Sequence, residues 1–441
     1  MMTRIALWVA LTVSASLANG LAAASTRTLE QEVAHTISSN PLIMREFNQL
    51  QSRNQEIREA YSGYQPSLDL DAGAGYQKID NDTNKLTGND EYDPWDVSLT
   101  LRQFLFQGFE ISENVNRTRA EAEAQRFKLL SDAEDLALRV AEVYLALLRT
   151  EQIYRLSRGN RDRHQQIYHD INRRTEQGIG TSADLSQISA RLAQANSNLL
   201  AAENNWQDAK EEYLRVVNQL PSGQIRPEVD ANYLPSTLDE AIGTARATNP
   251  TIKLASADID AASAEREVAK SNFYPELYLD VKQTWEEETG GRLGDQEDFS
   301  VMLRLRFNLF NGFANHAEVK RLAYQMAVAK DIRDDSIRQL DEGTRLAWNA
   351  WQFTHRQLGY LQGHVEAAHQ TAQAYTKQFD IGKRTLLDLL NTENELFDAR
   401  VAYLDAEYAE IEAKYRVLNA SGVLLDALRV TVPEPWQQSR R

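Results

Sequence analysis

One arrangement of residues occurs twice in this chain, and it restricts the fold more than any single motif does. Thr28-Leu29, Asn40-Pro41 and Pro66-Ser67-Leu68 return 209 positions later as Thr237-Leu238, Asn249-Pro250 and Pro275-Glu276-Leu277. The spacing then becomes 204: Phe106-Gln107-Gly108-Phe109 returns as Phe310-Asn311-Gly312-Phe313, Gly159 as Gly363, and Gly178, Thr181 and Asp184 as Gly382, Thr385 and Asp388. Two halves of about 200 residues with the same punctuation are the mark of internal duplication. The change of spacing places a length difference in one loop between Leu68 and Phe106.

Proline is absent from Trp95 to Leu220 and from Glu276 to Val432. Those stretches are rich in helix formers, with apolar residues at three-and-four spacing such as Leu129, Leu136, Val140, Val143, Tyr144 and Leu147. The spacing predicts a helix over 108–177 and its repeat over 312–381, each about 70 residues and about 105 Å long at 1.5 Å per residue. Gly178 and Gly382 then stand at C-caps, and Thr181 and Thr385 at the N-caps of returning helices, with Asp184 and Asp388 in the place of the usual capping-box Glu or Gln. Two tight helical hairpins result, with returning helices over 182–218 and 385–420. Single helices are expected over 29–61 and 238–271, so that two shorter helices end to end match each long one. Residues 25–218 form the first repeat, 219–236 a linker, 237–424 the second repeat and 425–441 a tail.

Between the helices the period changes to two. Leu68, Leu70, Ala72, Ala74 and Tyr76 alternate with polar residues, as do Trp95, Val97, Leu99 and Leu101; Leu277, Leu279 and Val281; and Phe299, Val301, Leu303, Leu305, Phe307 and Leu309. Strands of about 9 to 11 residues suit a tilted membrane crossing, and aromatic residues gather at both ends. An ordinary sandwich face alternates in the same way. Four strands cannot close a barrel, so a barrel requires pooling with copies of the same chain: two copies give eight strands and a filled interior, three give twelve and room for a channel. The trimer is the economical solution.

Residues 1–24 read as a secretory leader, with Arg4, an apolar stretch from Ile5 to Leu17 and Ala22-Ala23-Ala24 at the cleavage site; a retained signal anchor is the alternative. No later run offers 18 uninterrupted apolar residues, so a membrane is met by a β-barrel or by a surface. The formal charge is −16 without a basic run, which argues against nucleic acid. There is no cysteine, which excludes disulfides, thiolate metal sites, thiol catalysis and an N-terminal lipidated Cys.

With hairpins, strands and duplication in place, the chain resembles the TolC family of outer-membrane exit ducts over nearly its whole mature length. The most specific pieces are Phe310-Asn311-Gly312-Phe313 with its first-half echo, and the run from Phe379 through Gly382-Lys383-Arg384-Thr385 to Asp388 and Asn391. The resemblance implies an α+β membrane protein: a trimeric, 12-stranded β-barrel with four strands per chain, continued by a long α-helical barrel, with an equatorial band at the linker and tail. It implies a passive conduit in the bacterial outer membrane extending into the periplasm. The implied partners are two further copies, membrane lipid, a periplasmic adaptor (membrane fusion protein) and an inner-membrane ABC or proton-driven transporter. The absent N-terminal Cys points to the non-lipidated branch, which includes outlets of type I secretion. No cofactor, metal or catalytic residue is implied.

The family closes its resting tip with polar links among a Tyr, an Asp and an Arg, and carries rings of Asp at the entrance. Carried over by motif, Arg384 matches the Arg, Asp184 the linking Asp and Asp388 one ring Asp. Phe379 stands where the Tyr is expected and Asn391 where a second ring Asp is expected. Gly178, Thr181, Gly382 and Thr385 mark the hairpin tips, where an adaptor backbone is expected to dock. Read from spacing alone, Asp184 and Asp388 are first-turn carboxylates that cap a helix.

Other patterns carry less. Gly178-x-Gly180-x-x-Ala183 imitates a dinucleotide fingerprint, but follows a helix where that motif needs a strand. Asp80-x-Asp82-x-Asn84 with Glu91 imitates a calcium loop, yet Lys85 occupies its glycine position. The histidine pairs His164/His169 and His364/His369 are five apart, off a shared helix face, and read as surface residues. Trp348 and Trp351 read as packing between helices. The reading from another class is a soluble periplasmic coiled-coil scaffold whose strands pack as a small sandwich.

Overall fold

The computed structural model describes residues 27–80, 91–291 and 294–437. The expected leader and most of the 80–91 acidic stretch lie outside the described residues. Chain order runs α1 (Leu29–Ser39), α2 (Pro41–Ser62), β1 (Ser67–Ala74), β2 (Gln77–Lys78), β3 (Glu91–Tyr92), β4 (Trp95–Gln107), α3 (Glu110–Glu176) and α4 (Ser182–Val217). The second repeat gives α5 (Leu238–Thr248), α6 (Pro250–Lys270), β5 (Glu276–Glu287), β6 (Asp295–Arg306), α7 (Ala314–Asp380) and α8 (Leu386–Ala420). Short α9 (Leu424–Ala427) and α10 (Glu434–Gln437) follow.

The long helices α3 and α7 have 67 residues each and the returning helices 36 and 35, close to expectation. The single helices expected over 29–61 and 238–271 are instead broken, at Asn40-Pro41 and Asn249-Pro250. Proline disfavours a helical conformation in the residue before it, yet suits the first position of a new helix. Asn40 and Asn249 each cap the new helix through a side-chain oxygen, at 2.9 Å from Leu42 N and 2.8 Å from Thr251 N.

Strand order in the main sheet is β1-β4-β5-β6, antiparallel throughout. The register aligns Leu70, Leu99 and Gln283 across three strands, and Leu279 with Leu303. Asp71, Ser98 and Thr284, and Asp280 with Met302, lie on the opposite face. One face is therefore apolar and the other polar, as the alternation requires. The apolar face is bare: Leu68, Leu70, Phe299, Leu303 and Leu305 are all more than 60% exposed. A sandwich would cover this face, and among the described residues no second sheet does. Three details depart from expectation. β1 stops at Ala74, short of Tyr76, β6 stops at Arg306, short of Leu309, and a two-residue hairpin, β2 with β3, extends beyond β1 and β4.

The main core surrounds the middle of α3. Leu129, Val140, Tyr144 and Leu147 of α3 meet Leu29 and Val33 of α1, Tyr213 and Val217 of α4, Tyr415 and Leu418 of α8, and Leu424 and Trp436 of the tail. The Tyr144 hydroxyl donates to Ile225 O (2.7 Å) and accepts from Ile225 N (3.0 Å), pinning the linker to the long helix. Trp348 and Trp351 pack edge to face at 5.1 Å. His164 corrects the surface reading: it is 1% exposed, with Nδ1 at 2.9 Å from Asn160 O, one turn earlier on its own helix.

Candidate functional site at the hairpin tips

Both hairpins end in the backbone their glycines demand. Gly178 and Gly382 adopt φ of 76° and 74°, the left-handed region that only glycine enters cheaply, and each has open space where a Cβ would stand. Lys383 N donates to Gln378 O at 2.8 Å and Ile179 N to Arg174 O at 3.0 Å, satisfying carbonyls at the ends of the long helices. Thr385 Oγ1 accepts from Asp388 N (3.2 Å) while the Asp388 carboxylate accepts from Thr385 N (3.3 Å), a complete capping box. Thr181 forms half of one: its Oγ1 accepts from Asp184 N at 3.1 Å and donates to the Asp184 carboxylate at 2.7 Å.

The two tips pack on one another. Ile167 and Ile171 of α3 and Ile188 of α4 share a buried cluster with Leu386, Leu389 and Leu390 of α8, and Phe379 packs against it. Phe379 has no hydroxyl to link, but Arg174 of the other hairpin lies over its ring at 5.1 Å, a cation–π contact. An aromatic residue thus still engages an arginine here.

Arg384 is held by three groups within its own hairpin. Its Nε donates to Gln378 Oε1 at 3.0 Å, its guanidinium lies 4.1 Å from the centre of the Tyr375 ring, and Nη1 stands 4.0 Å from the Asp388 carboxylate. Within one chain Arg384 is therefore coupled to Asp388 rather than to Asp184, which bonds Thr181. Asn391, exposed on α8, accepts from Arg191 of α4 at 3.3 Å, so this residue links the two hairpins. Arg163 adds a further tie, donating to Glu393 (2.7 Å) and to Thr376 (3.0 Å).

Tyr375, Gln378, Arg174 and Arg191 are absent from the sequence-based site. Tyr375 was the one with a signal, since it lies four residues before Phe379 and hence on the same helix face. Among the described residues no cluster of His, Cys, Asp or Glu is arranged to hold a metal ion.

Comparison with known proteins adds four findings. A family model described as outer membrane efflux protein matches the chain twice, over 34–218 and 241–423, once in each repeat. The chain is similar to outer membrane efflux protein BepC of Brucella suis, 24% identical over 374 residues, covering 84% of this chain and 80% of BepC. It is also similar to the alkaline protease secretion protein AprF of Pseudomonas aeruginosa, 26% identical over 322 residues that make up 70% of this chain and 66% of AprF. In structure it is similar to the Campylobacter jejuni CmeC outer membrane channel, with a TM-score of 0.80 at 14% identity over 90% of this chain and 86% of that one.

Proposed function

Because this chain belongs to the outer membrane efflux protein family, whose members are outer-membrane channels, we propose that three copies pool their sheets into one 12-stranded barrel that opens into a helical tunnel. The observation that carries this reading is the bare apolar face of a four-stranded sheet with two free edges, set at one end of helices about 100 Å long. Lipid is the apolar medium that covers such a face without a further protein layer. The strands then cross the outer membrane, and the hairpin tips reach into the periplasm.

In this reading the duct is passive. The tips, with Gly178, Thr181, Gly382 and Thr385, receive a periplasmic adaptor bound to an energised inner-membrane transporter, of either the ABC or the proton-driven type. Asp184, Phe379 and Arg384 bias the tip toward closure, and Asp388 with Asn391 lines its mouth. The cargo is a polypeptide or a small molecule, the two kinds of export that the relatives' names span. Static light scattering in mild detergent checks the assembly, with a mass of three chains expected and a single-chain mass in several detergents rejecting the shared barrel. Cell fractionation separates the duct from a coiled-coil scaffold: the duct stays with outer membrane until detergent is added, and a scaffold leaves with the periplasm.

A further inference from the structure

The internal duplication makes a comparison within one molecule possible. β4 ends the sheet of the first repeat and β5 begins that of the second, so the β4/β5 seam is a junction between repeats that the chain displays in full. Across it Arg102 grips Asp280 with two hydrogen bonds, Nε to Oδ1 at 2.7 Å and Nη2 to Oδ2 at 3.1 Å. Below it Gly108 is buried in a cradle: a Cβ there would lie 2.5 Å from Ser271 O and 2.8 Å from the Tyr274 Cβ. The rings of Phe106 and Phe109 both meet Tyr274 edge on.

The equivalent features on the far edge stand uncovered. Gly312 repeats Gly108 with nearly the same backbone, φ 68° against 57°, and Phe313 repeats the left-handed Phe109. Phe310 and Phe313 reproduce the edge-on pair of Phe106 and Phe109 at the same 5.4 Å. Yet a Cβ on Gly312 would meet nothing within 4 Å, and Phe310 and Phe313 are 73% and 68% exposed. The long helices differ in the same way. α3 packs against both α2 and α6, whereas α7 has α6 along that half, and Tyr324, Val328 and Ile332 form an exposed apolar stripe on it.

The repeat spacings say what is missing. Adding 204 carries β4 onto β6, and subtracting 209 carries β5 onto β1, so Arg102 maps onto Arg306 and Asp280 onto Asp71. Arg306 and Asp71 are both exposed, on opposite edge strands, and neither side chain makes a hydrogen bond or ion pair among the described residues. The same mapping sets Leu305 opposite Ala72 and Leu303 opposite Ala74, apolar against apolar, so the two faces of the sheet continue unbroken. It brings Ser62 and Gln65 to the bare Gly312, as Ser271 and Tyr274 stand against Gly108.

We infer that β6 of one copy takes β1 of a second copy in the register of the β4/β5 seam, with Arg306 bound to Asp71 of the next copy and Gly312 seated against its residues 62–65. The occupant of the free edge is thus another copy of this chain, selected by charge as well as by backbone pairing. Register matters because a slip of two residues keeps the apolar face outward but parts the ion pair and the cradle together. This inference rests on the shared-barrel reading and specifies its seam.

The absence of cysteine makes the test direct. Leu305→Cys combined with Ala72→Cys, and Leu303→Cys combined with Ala74→Cys, are oxidised in isolated outer membranes and run without reductant. Paired Cα atoms in register lie within disulfide reach, whereas diagonal neighbours at about 7–8 Å do not. The in-register pairs should give covalent dimers and trimers at least several-fold more than the slipped pair of Leu305→Cys with Ala74→Cys. In parallel, Arg306→Asp and Asp71→Arg should each lower the yield of heat-resistant trimer, and the two together should restore it. A trimer that cross-links best in the slipped register, or charge reversals that fail to rescue each other, overturns the seam and leaves the shared barrel standing. A single-chain mass with no cross-link in any register overturns both.

Discussion

At the scale of single residues the tip is a set of local bonds that each hold little energy. Arg384 and Asp388 are each 38% exposed, and an exposed pair of this kind contributes about 0.2–1 kcal/mol, so three copies in the proposed trimer give about 0.6–3 kcal/mol. In the proposed closed mouth, a bias of that size is small enough for a docking partner to reverse. Because the same guanidinium neighbours Asp388, Arg384→Ser should do two things in planar bilayers: raise single-channel conductance and increase cation preference by unmasking the carboxylate. Asp388→Ala should lower cation preference. Unchanged conductance and selectivity for Arg384→Ser at low salt, where screening is least, would reduce the residue to a helix cap. The caps themselves were legible from sequence because capping is chemistry among residues three apart. The Gln378 partner of Arg384 and the Arg174 partner of Phe379 were not, since Gln378 comes within reach only when the chain turns at Gly382, and Arg174 belongs to the other hairpin. A second residue-scale effect sits in the main core. Burial pushes the Glu134 carboxyl up to about 8 against the pull of its bonds from Leu424 N and Leu425 N, with Asp426 and Asp135 adding to the rise. A folded-state value above the unfolded one means that the contribution is complete below about 4.5 and lost as pH rises through about 8. Thermal melts in detergent should show stability falling between pH 5 and 9, with a flatter profile for Glu134→Gln.

At the scale of elements, the two helix breaks do unequal work although their sequences match. The Asn40 side chain only caps α2 and is partly exposed to solvent. Asn249 caps α6 and also donates from Nδ2 to Ala420 O at 3.0 Å, satisfying a carbonyl at the end of α8. Asn40→Ala should therefore cost about 1 kcal/mol, and Asn249→Ala about 2 kcal/mol or more, because a cap and a largely buried hydrogen bond are lost together. Denaturant melts of the two variants provide the comparison, and equal losses would remove the second role of Asn249. These breaks lay inside stretches read as continuous helix even though both Asn-Pro pairs were recognised as repeated. The reason is physical: proline is tolerated at the first position of a helix, so apolar periodicity runs through the break with little change of phase. The strand faces were legible because alternation is local. Strand order was not, since the pairing of β4 with β5 joins segments separated by four helices, α3 to α6.

At the scale of the whole molecule, the four-stranded sheet and the hairpin tips lie at opposite ends of one helix of 67 residues, about 100 Å apart. Sites so far apart with no shared partners respond additively to substitution. Leu303 belongs to the bare apolar face, and Leu303→Arg near mid-bilayer should cost about 2–4 kcal/mol per chain. Arg304 lies on the polar face, 3.3 Å from an Asp280 that Arg102 already holds by two bonds, so Arg304→Leu should leave assembly intact. Equal outer-membrane yields of these two variants would undo the assignment of faces. The separation of ends makes a further demand. Leu303→Arg should lower trimer yield while the surviving trimers conduct as wild type, and Arg384→Ser should raise conductance with no change in the heat resistance of the trimer. The double variant should then combine the low yield of one with the high conductance of the other. If conductance instead follows the barrel substitution, the two ends are coupled through the helices, and opening at the tip is a motion of the whole tunnel rather than of its mouth.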